Sequence, residues 1–320
     1  MKVLVIGGAG YIGSTLTRNL WSRGDDVTVL DLLLFGGESL VSLLGQPNFK
    51  LRAGDLRDER LLAEVVPGHD AVVLLAAIVG EPACNRDPQN AVDTNLNGAR
   101  KVLAACRAAN IPRLVFASTC SNYGVSESDE CVDETAPVKP LSTYAETKVQ
   151  AESEILAAAS DSFCPTVLRF STAFGVSTRM RFDLLVSDFT LAAVRDRKVV
   201  VYGEQFWRPF VHIEDISQSV TTVLEADPSI VRGEIFNVGS GAANIQKITL
   251  AEKVQQHVDG TRLKFVEQNQ DPRSYRVDFT KIERKLGYRT RWSVDDGIAE
   301  MHQTLSAGLW PNPADPRFRN

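Results

Sequence analysis

At 320 residues, 44% hydrophobic and 23% charged, the chain can bury a large core and stands near the size where one domain gives way to two lobes. Its formal charge of −5 argues against a nucleic-acid or anionic-membrane partner, and no apolar run approaches membrane-spanning length. Five scattered cysteines (Cys84, Cys106, Cys120, Cys131 and Cys164) lack C-x-x-C spacing, which fits a reducing compartment and excludes a disulfide framework or zinc site.

Residues 2–6 read as a buried strand that breaks into Gly7-Gly8-Ala9-Gly10-Tyr11-Ile12-Gly13. That opening is too short for a signal peptide, so a cytoplasmic enzyme is expected. Gly7, Gly10 and Gly13 then open a helix over 11–23, the context a dinucleotide fingerprint requires. Glycine permits the tight turn, and the backbone N–H groups around Tyr11 and Ile12 can approach a pyrophosphate at the positive end of the helix. A second strand, 26–30, is closed by Asp31, where an acid accepts the adenosine ribose hydroxyls and repels a 2′-phosphate, favouring NAD over NADP. Strands at 49–53, 71–75, 113–118 and 166–170 alternate with helices at 59–66, 91–109 and 144–159. The fold class is therefore α/β, a doubly wound parallel Rossmann sheet with right-handed crossovers.

After 170 the rhythm changes. Residues 175–183 are basic and irregular, 184–195 look helical and 198–202 look like a strand. Strands at 210–213 and 235–238 are each followed by a helical stretch, and Pro311, Pro313 and Pro316 mark an irregular tail. The expected organisation is an NAD-binding domain over 1–170 and a smaller mixed α/β substrate lobe over 171–320, with 210–245 returning to the first.

The chemistry is concentrated in Thr119 and in Tyr144-Ala145-Glu146-Thr147-Lys148. A tyrosine with its ordinary pKa of about 10 is a poor base at neutral pH, and a nearby ammonium stabilises its phenolate. Four residues apart on a helix, Tyr144 and Lys148 share a face. His212 is assigned a buried structural role in its strand. His69, His257 and His302 have no acidic or cysteine neighbours at ligand spacing, so no metal is assigned.

These patterns, in this order and at these separations, resemble the extended short-chain dehydrogenase/reductase family, whose members mostly remodel nucleotide-linked sugars. The G-x-x-G-x-x-G spacing is that family's variant, and the similarity covers nearly the whole chain. The resemblance implies that Thr119 hydrogen-bonds the reacting hydroxyl and that Tyr144 and Lys148 work beside a tightly bound NAD. It places Asp55-Leu56 at the adenine edge, Ala76-Ala77 beside the pyrophosphate and nicotinamide ribose, and Asn95 among the cofactor residues.

On the substrate side, Phe206–Asp215 resembles the segment whose arginine contacts a sugar-nucleotide diphosphate, making Arg208 the candidate, although Pro209 stands where the family usually has Asp. Arg273, in Asp271-Pro272-Arg273-Ser274-Tyr275, is a second. Arg179 and Arg181 could reach the phosphates or the sugar, and Thr172 replaces the asparagine of many relatives. The stretch containing Val79 and Glu81, with 179–190, resembles a narrower branch acting at C4 of nucleotide-linked heptoses. The helices at 91–109 and 144–159 correspond to those the family pairs in a homodimer.

The family's 4,6-dehydratases follow the catalytic threonine with Asp and Glu. Here Cys120 and Ser121 stand there, lining the sugar pocket without a carboxylate for general acid–base work on a carbon-bound proton. A 4-epimerase of an NDP-hexose or NDP-heptose (GDP- or ADP-linked heptose included) is the leading expectation. A C4 dehydrogenase follows, then a 4-ketoreductase, and the retained Tyr–Lys pair argues against a non-catalytic NAD sensor.

Overall fold

Runs of Val, Leu and Ile bounded by turn residues produce strands whose two faces are both buried. In a computed structural model, described over residues 1–125, 130–267 and 273–320, β1 (Lys2–Ile6), β2 (Asp26–Asp31), β4 (Ala71–Leu74), β5 (Arg113–Thr119) and β6 (Cys164–Phe170) are such strands, and β3 (Phe49–Ala53) is a more exposed edge strand. With a later strand they form a seven-stranded parallel sheet in the order Glu234–Val238, β6, β5, β4, β1, β2, β3. In β1 the alternation is direct: Val3 and Val5 enter one hydrophobic cluster, Leu4 and Ile6 the other. The helices Tyr11–Ser22 and Ile213–Glu225 cover the first face; Gly98–Ala108 and Thr143–Ala157 cover the second. Strand order reverses between β1 and β4, so a crevice opens at their carboxyl ends, where doubly wound sheets bind ligands.

The rest of the chain forms two small sheets. Strands β7 (Thr172–Phe174), β8 (Lys198–Tyr202), β9 (Trp207–His212), β10 (Glu234–Val238), β11 (Asn244–Gln246) and β12 (Arg262–Val266) complete the set. β11, β9 and β7 form one sheet, β12 and β8 pair in parallel, and β10 is the strand that returns to the edge of the large sheet beside β6. A separate core of Phe189, Val199, Val201, Leu250, Val254 and Ile298 supports these elements.

Several features depart from the sequence reading, the short strands β7 and β11 among them. The helix expected over 91–109 is broken into Pro88–Val92, a π-helical turn at Asp93–Asn97, and Gly98–Ala108. The turn coincides with Asn95 being drawn inward. β12 was not foreseen, because Arg-Leu-Lys-Phe-Val is largely exposed and lacks the apolar run of a buried strand. Among the described residues no helix is long and apolar enough to cross a membrane.

Candidate active site

The glycine loop is held tight by its own backbone. Gly7 has φ +94°, and a Cβ there would fall 2.6 Å from the Ala76 nitrogen beyond β4. A Cβ on Gly13 would overlap the Gly7 carbonyl, whereas Gly10 is the N-cap of the Tyr11–Ser22 helix. Only glycine allows β1, β4 and the helix start to meet this closely. At the end of β2, Asp31 accepts N–H bonds from Ala9 (2.9 Å) and Leu33 (2.8 Å), tying the acid to the glycine loop. Burial raises the Asp31 carboxyl above its ordinary value, and the two N–H bonds and Arg179 oppose that shift.

Asp55 forms a close pair with Arg57 (2.6 Å), which holds it below the ordinary carboxylate range, and Leu56 is buried beneath Gly98. Asn95, expected among the cofactor residues, directs its side-chain amide to the chain's own backbone. It is buried, and both ends of its amide are spent on the Ile78 backbone, at 2.7 and 3.0 Å. It therefore acts by fixing the segment after β4 that carries Ala76, Ala77 and Val79. Tyr11 likewise directs its hydroxyl away from the loop, onto the Gly175 carbonyl at 2.7 Å.

Tyr144 and Lys148 lie on one face of the helix Thr143–Ala157, capped by Ser142, and β5 ends beside them at Thr119. The Thr119 hydroxyl oxygen accepts the Ser121 N–H at 3.0 Å, so its own proton remains to be donated. Lys148 Nζ donates to the Ala117 carbonyl at 2.8 Å and stands 6.0 Å from the Tyr144 ring centre. Burial pulls this ammonium down to about 8, against the opposing effect of Glu152 one turn on. Burial also pushes the Tyr144 phenol well above its ordinary value, and Cys84 adds to that, while Arg181 and Arg273 pull it back. Cations of the second lobe, Arg181 and Arg273, thus bear on Tyr144 together with Lys148.

Arg273 Nη1 meets the Ser121 hydroxyl at 3.3 Å, and the Tyr275 hydroxyl meets the same atom at 3.5 Å. Arg208 donates to the Trp207 and Arg273 carbonyls and lies 5.9 Å from the Tyr275 ring. Ser121, Arg208, Arg273 and Tyr275 therefore form one polar wall beyond Thr119. Asp271 and Pro272 lie outside the described residues. Tyr275 was given no role from sequence, although i, i+2 spacing from Arg273 on an extended segment puts both on one side. Thr172 opens β7 opposite Phe210 of β9. Glu81 starts the short helix Glu81–Arg86, which also carries Cys84.

Cys120 is a correction. Its side chain is fully buried, donates to the Arg169 carbonyl at 3.2 Å, and packs with Tyr123, Val277 and Phe279. Burial pushes its thiol up to about 12. It belongs to the core under the site, so the pocket face after Thr119 is presented by Ser121 alone. Arg181 is clamped by Asp183 at 2.6 Å and acts on both Tyr11 and Tyr144. Arg179 lies against Phe35 and within electrostatic reach of Asp31. His212 is buried: it stacks on Trp292, caps the next helix and faces Glu300 at 3.2 Å.

A glycine-bound crevice with an acid closing the second strand, beside a Thr–Tyr–Lys group, fits a dinucleotide whose nicotinamide reaches Tyr144. Residues 3–239 match the profile of the NAD dependent epimerase/dehydratase family. The chain belongs to that family. It is 31% identical to a UDP-glucose 4-epimerase of Lactobacillus helveticus, over 93% of this chain and 95% of that one. It is also 31% identical to a dTDP-glucose 4,6-dehydratase of Streptomyces niveus, over 94% and 91%. Among solved structures it superimposes on DesIV, a dTDP-glucose 4,6-dehydratase of Streptomyces venezuelae solved with NAD bound. The TM-score there is 0.87 at 27% identity, covering 99% of this chain and 100% of that one. The protein is an NAD-dependent enzyme of the short-chain dehydrogenase/reductase type.

Proposed function

We propose that the enzyme inverts C4 of a nucleotide-diphosphate sugar through a transient 4-keto sugar. The observation that carries this reading is the face beyond Thr119, where Ser121, Arg273 and Tyr275 stand and Cys120 is buried. Elimination of water across C5 and C6 needs an acid and a base for a carbon-bound proton, and among its described residues this wall offers no carboxylate. Proton removal from a hydroxyl with hydride transfer remains.

In this reading Tyr144 takes the C4 hydroxyl proton while Thr119 donates to the oxygen on which negative charge builds. Lys148, when protonated, supports the phenolate. NAD, when bound, accepts the C4 hydride and later returns it. The sugar turns between the two half-reactions, and Tyr144 gives its proton back. Arg208 and Arg273 bind the diphosphate, since guanidinium groups suit phosphate oxygens, with Arg181 and Thr172 nearer the sugar. Val79, Glu81 and the 179–190 stretch extend the proposal to a GDP- or ADP-linked heptose beside a hexose. Reaction in a cytoplasmic compartment follows from the same substrates. A net C4 dehydrogenase shares the first half-reaction and is the second reading; a 4-ketoreductase, running that half-reaction backwards, is the third.

Incubation with a panel of nucleotide hexoses and heptoses without added cofactor, followed by chromatography and mass spectrometry, separates these. A new peak of unchanged mass is expected. A product lighter by two hydrogens would replace epimerase with dehydrogenase, and one lighter by water would overturn the argument from Ser121.

A further inference from the structure

Arg179 is a buried cation of the cleft with an unpartnered nitrogen. Its side chain is 6% exposed, its Nε has no hydrogen-bond partner, and no carboxylate among the described residues pairs with it. The nearby acids are already committed: Asp183 to Arg181 in a two-pronged pair, Asp31 to the backbone of Ala9 and Leu33. Burying a guanidinium without a counter-charge is costly unless an anion joins it. Burial and the repulsion of Arg181 pull Arg179 down to about 10, so it is still cationic at neutral pH.

Its surroundings locate that anion. The guanidinium lies 3.9 Å from the Phe35 ring centre, on the loop that follows Asp31. Two residues earlier, Ser177 bonds the Tyr11 carbonyl (2.9 Å) and meets Ser14 (3.1 Å), seating this segment on the start of the glycine-loop helix. The opposite side is held by Asn320, which accepts from Arg179 Nη2 at 2.7 Å and donates to the Val79 carbonyl at 3.3 Å. Arg179 is thus fixed between the ribose acid and the glycine loop, and bridged to the wall after β4.

We propose that Arg179 is a second-lobe ligand for the phosphate bridge of the dinucleotide, with Asn320 as its positioning residue. It is not a substrate contact, and the strap it forms with Asn320 and Val79 retains the bound cofactor. This rests on NAD as cofactor and not on the sugar chemistry proposed above.

The test is the NAD(H) content per chain after gel filtration, read by acid release and chromatography. It is paired with calorimetric titration of stripped protein with NAD, UDP and GDP. Arg179→Gln should lose retained dinucleotide and weaken NAD binding by about tenfold or more, the value of one charge-assisted bond, with UDP and GDP affinity unchanged. Asn320→Ala should move NAD affinity the same way by less. Unchanged NAD affinity in Arg179→Gln, or loss of UDP or GDP affinity in its place, would overturn the assignment. Should Arg179→Gln not fold, Asn320→Ala decides: unchanged NAD affinity there overturns it equally. Wild-type protein failing to bind NAD would strike the cofactor assignment itself.

Discussion

At the scale of single residues, the site is built on two groups displaced from their ordinary protonation. The Tyr144 phenol is held high by burial, and Arg181 is among the charges that lower it. Replacing Arg181 with Gln removes that help, so the rise of kcat/KM with pH should move to higher pH and the rate near neutrality should fall. A pH profile with an unmoved midpoint would show that Arg181 serves Asp183 alone. Lys148 carries the opposite displacement. Its folded value of about 8 lies below the unfolded value near ~10.4. The folded state therefore binds fewer protons between those values, and the cost of burying the charge is present below pH 8 and fades as pH rises toward 10. Lys148→Met should then raise the stability of cofactor-free protein at pH 7 by roughly 1–2 kcal/mol, after allowing for the donor lost by the Ala117 carbonyl. The gain should shrink at pH 10 and turnover should be lost; equal stability gains at both pH values would refute the displaced lysine. Spacing along the chain predicts that Thr119, Tyr144 and Lys148 meet, because strand ends and helix turns are local geometry. It carries no information on depth, which is why Cys120, next to Thr119 in sequence, turns inward to a core duty.

At the scale of elements, the parallel sheet is legible because most of its strands are short apolar runs between turn residues, buried on both faces, with the exposed Phe49–Ala53 at the edge. The second lobe is less so: Arg262–Val266 is exposed and polar enough to pass for loop, and Thr172–Phe174 is too short to show a period. The contact that holds the catalytic helix against the sheet is equally hidden, since it joins residues distant in sequence. Glu152, one turn beyond Lys148, pairs with Arg169 of β6 at 2.7 Å and accepts from Asn122 at 2.8 Å. Arg169 in turn donates to the Tyr123 hydroxyl, which donates to Asn237 of β10. Both charges of the pair are buried, so breaking it leaves an uncompensated guanidinium, at a cost of about 3–5 kcal/mol. Glu152→Gln should lose stability on that order in urea unfolding, and Glu152→Gln with Arg169→Met should recover part of it. A single variant within about 0.5 kcal/mol of wild type would mean that the Asn122–Glu152–Arg169 chain is not structural.

At the scale of the whole molecule, the two lobes are joined through the site: Tyr11 to Gly175, Ser14 to Ser177, Asp31 electrostatically to Arg179. Cofactor and substrate segments are thus fastened to each other by the residues that would hold them, and a surface for assembly is offered by the helices on the second face of the sheet. There the helices Gly98–Ala108 and Thr143–Ala157 turn Arg100, Ala104, Glu146 and Gln150 to solvent. Arg100 and Glu154 already pair across the two helices at 2.6 Å. We propose that this face meets its copy in a homodimer. An exposed ion pair is worth little alone, so the stability of such a dimer must come from close packing around the small Ala104. Ala104→Glu, which adds bulk and a charge at that point, should therefore halve the mass seen by light scattering at micromolar concentration and leave NAD content unchanged. A wild-type mass of a single chain would remove the dimer. A dimer untouched by Ala104→Glu would move the interface to another face.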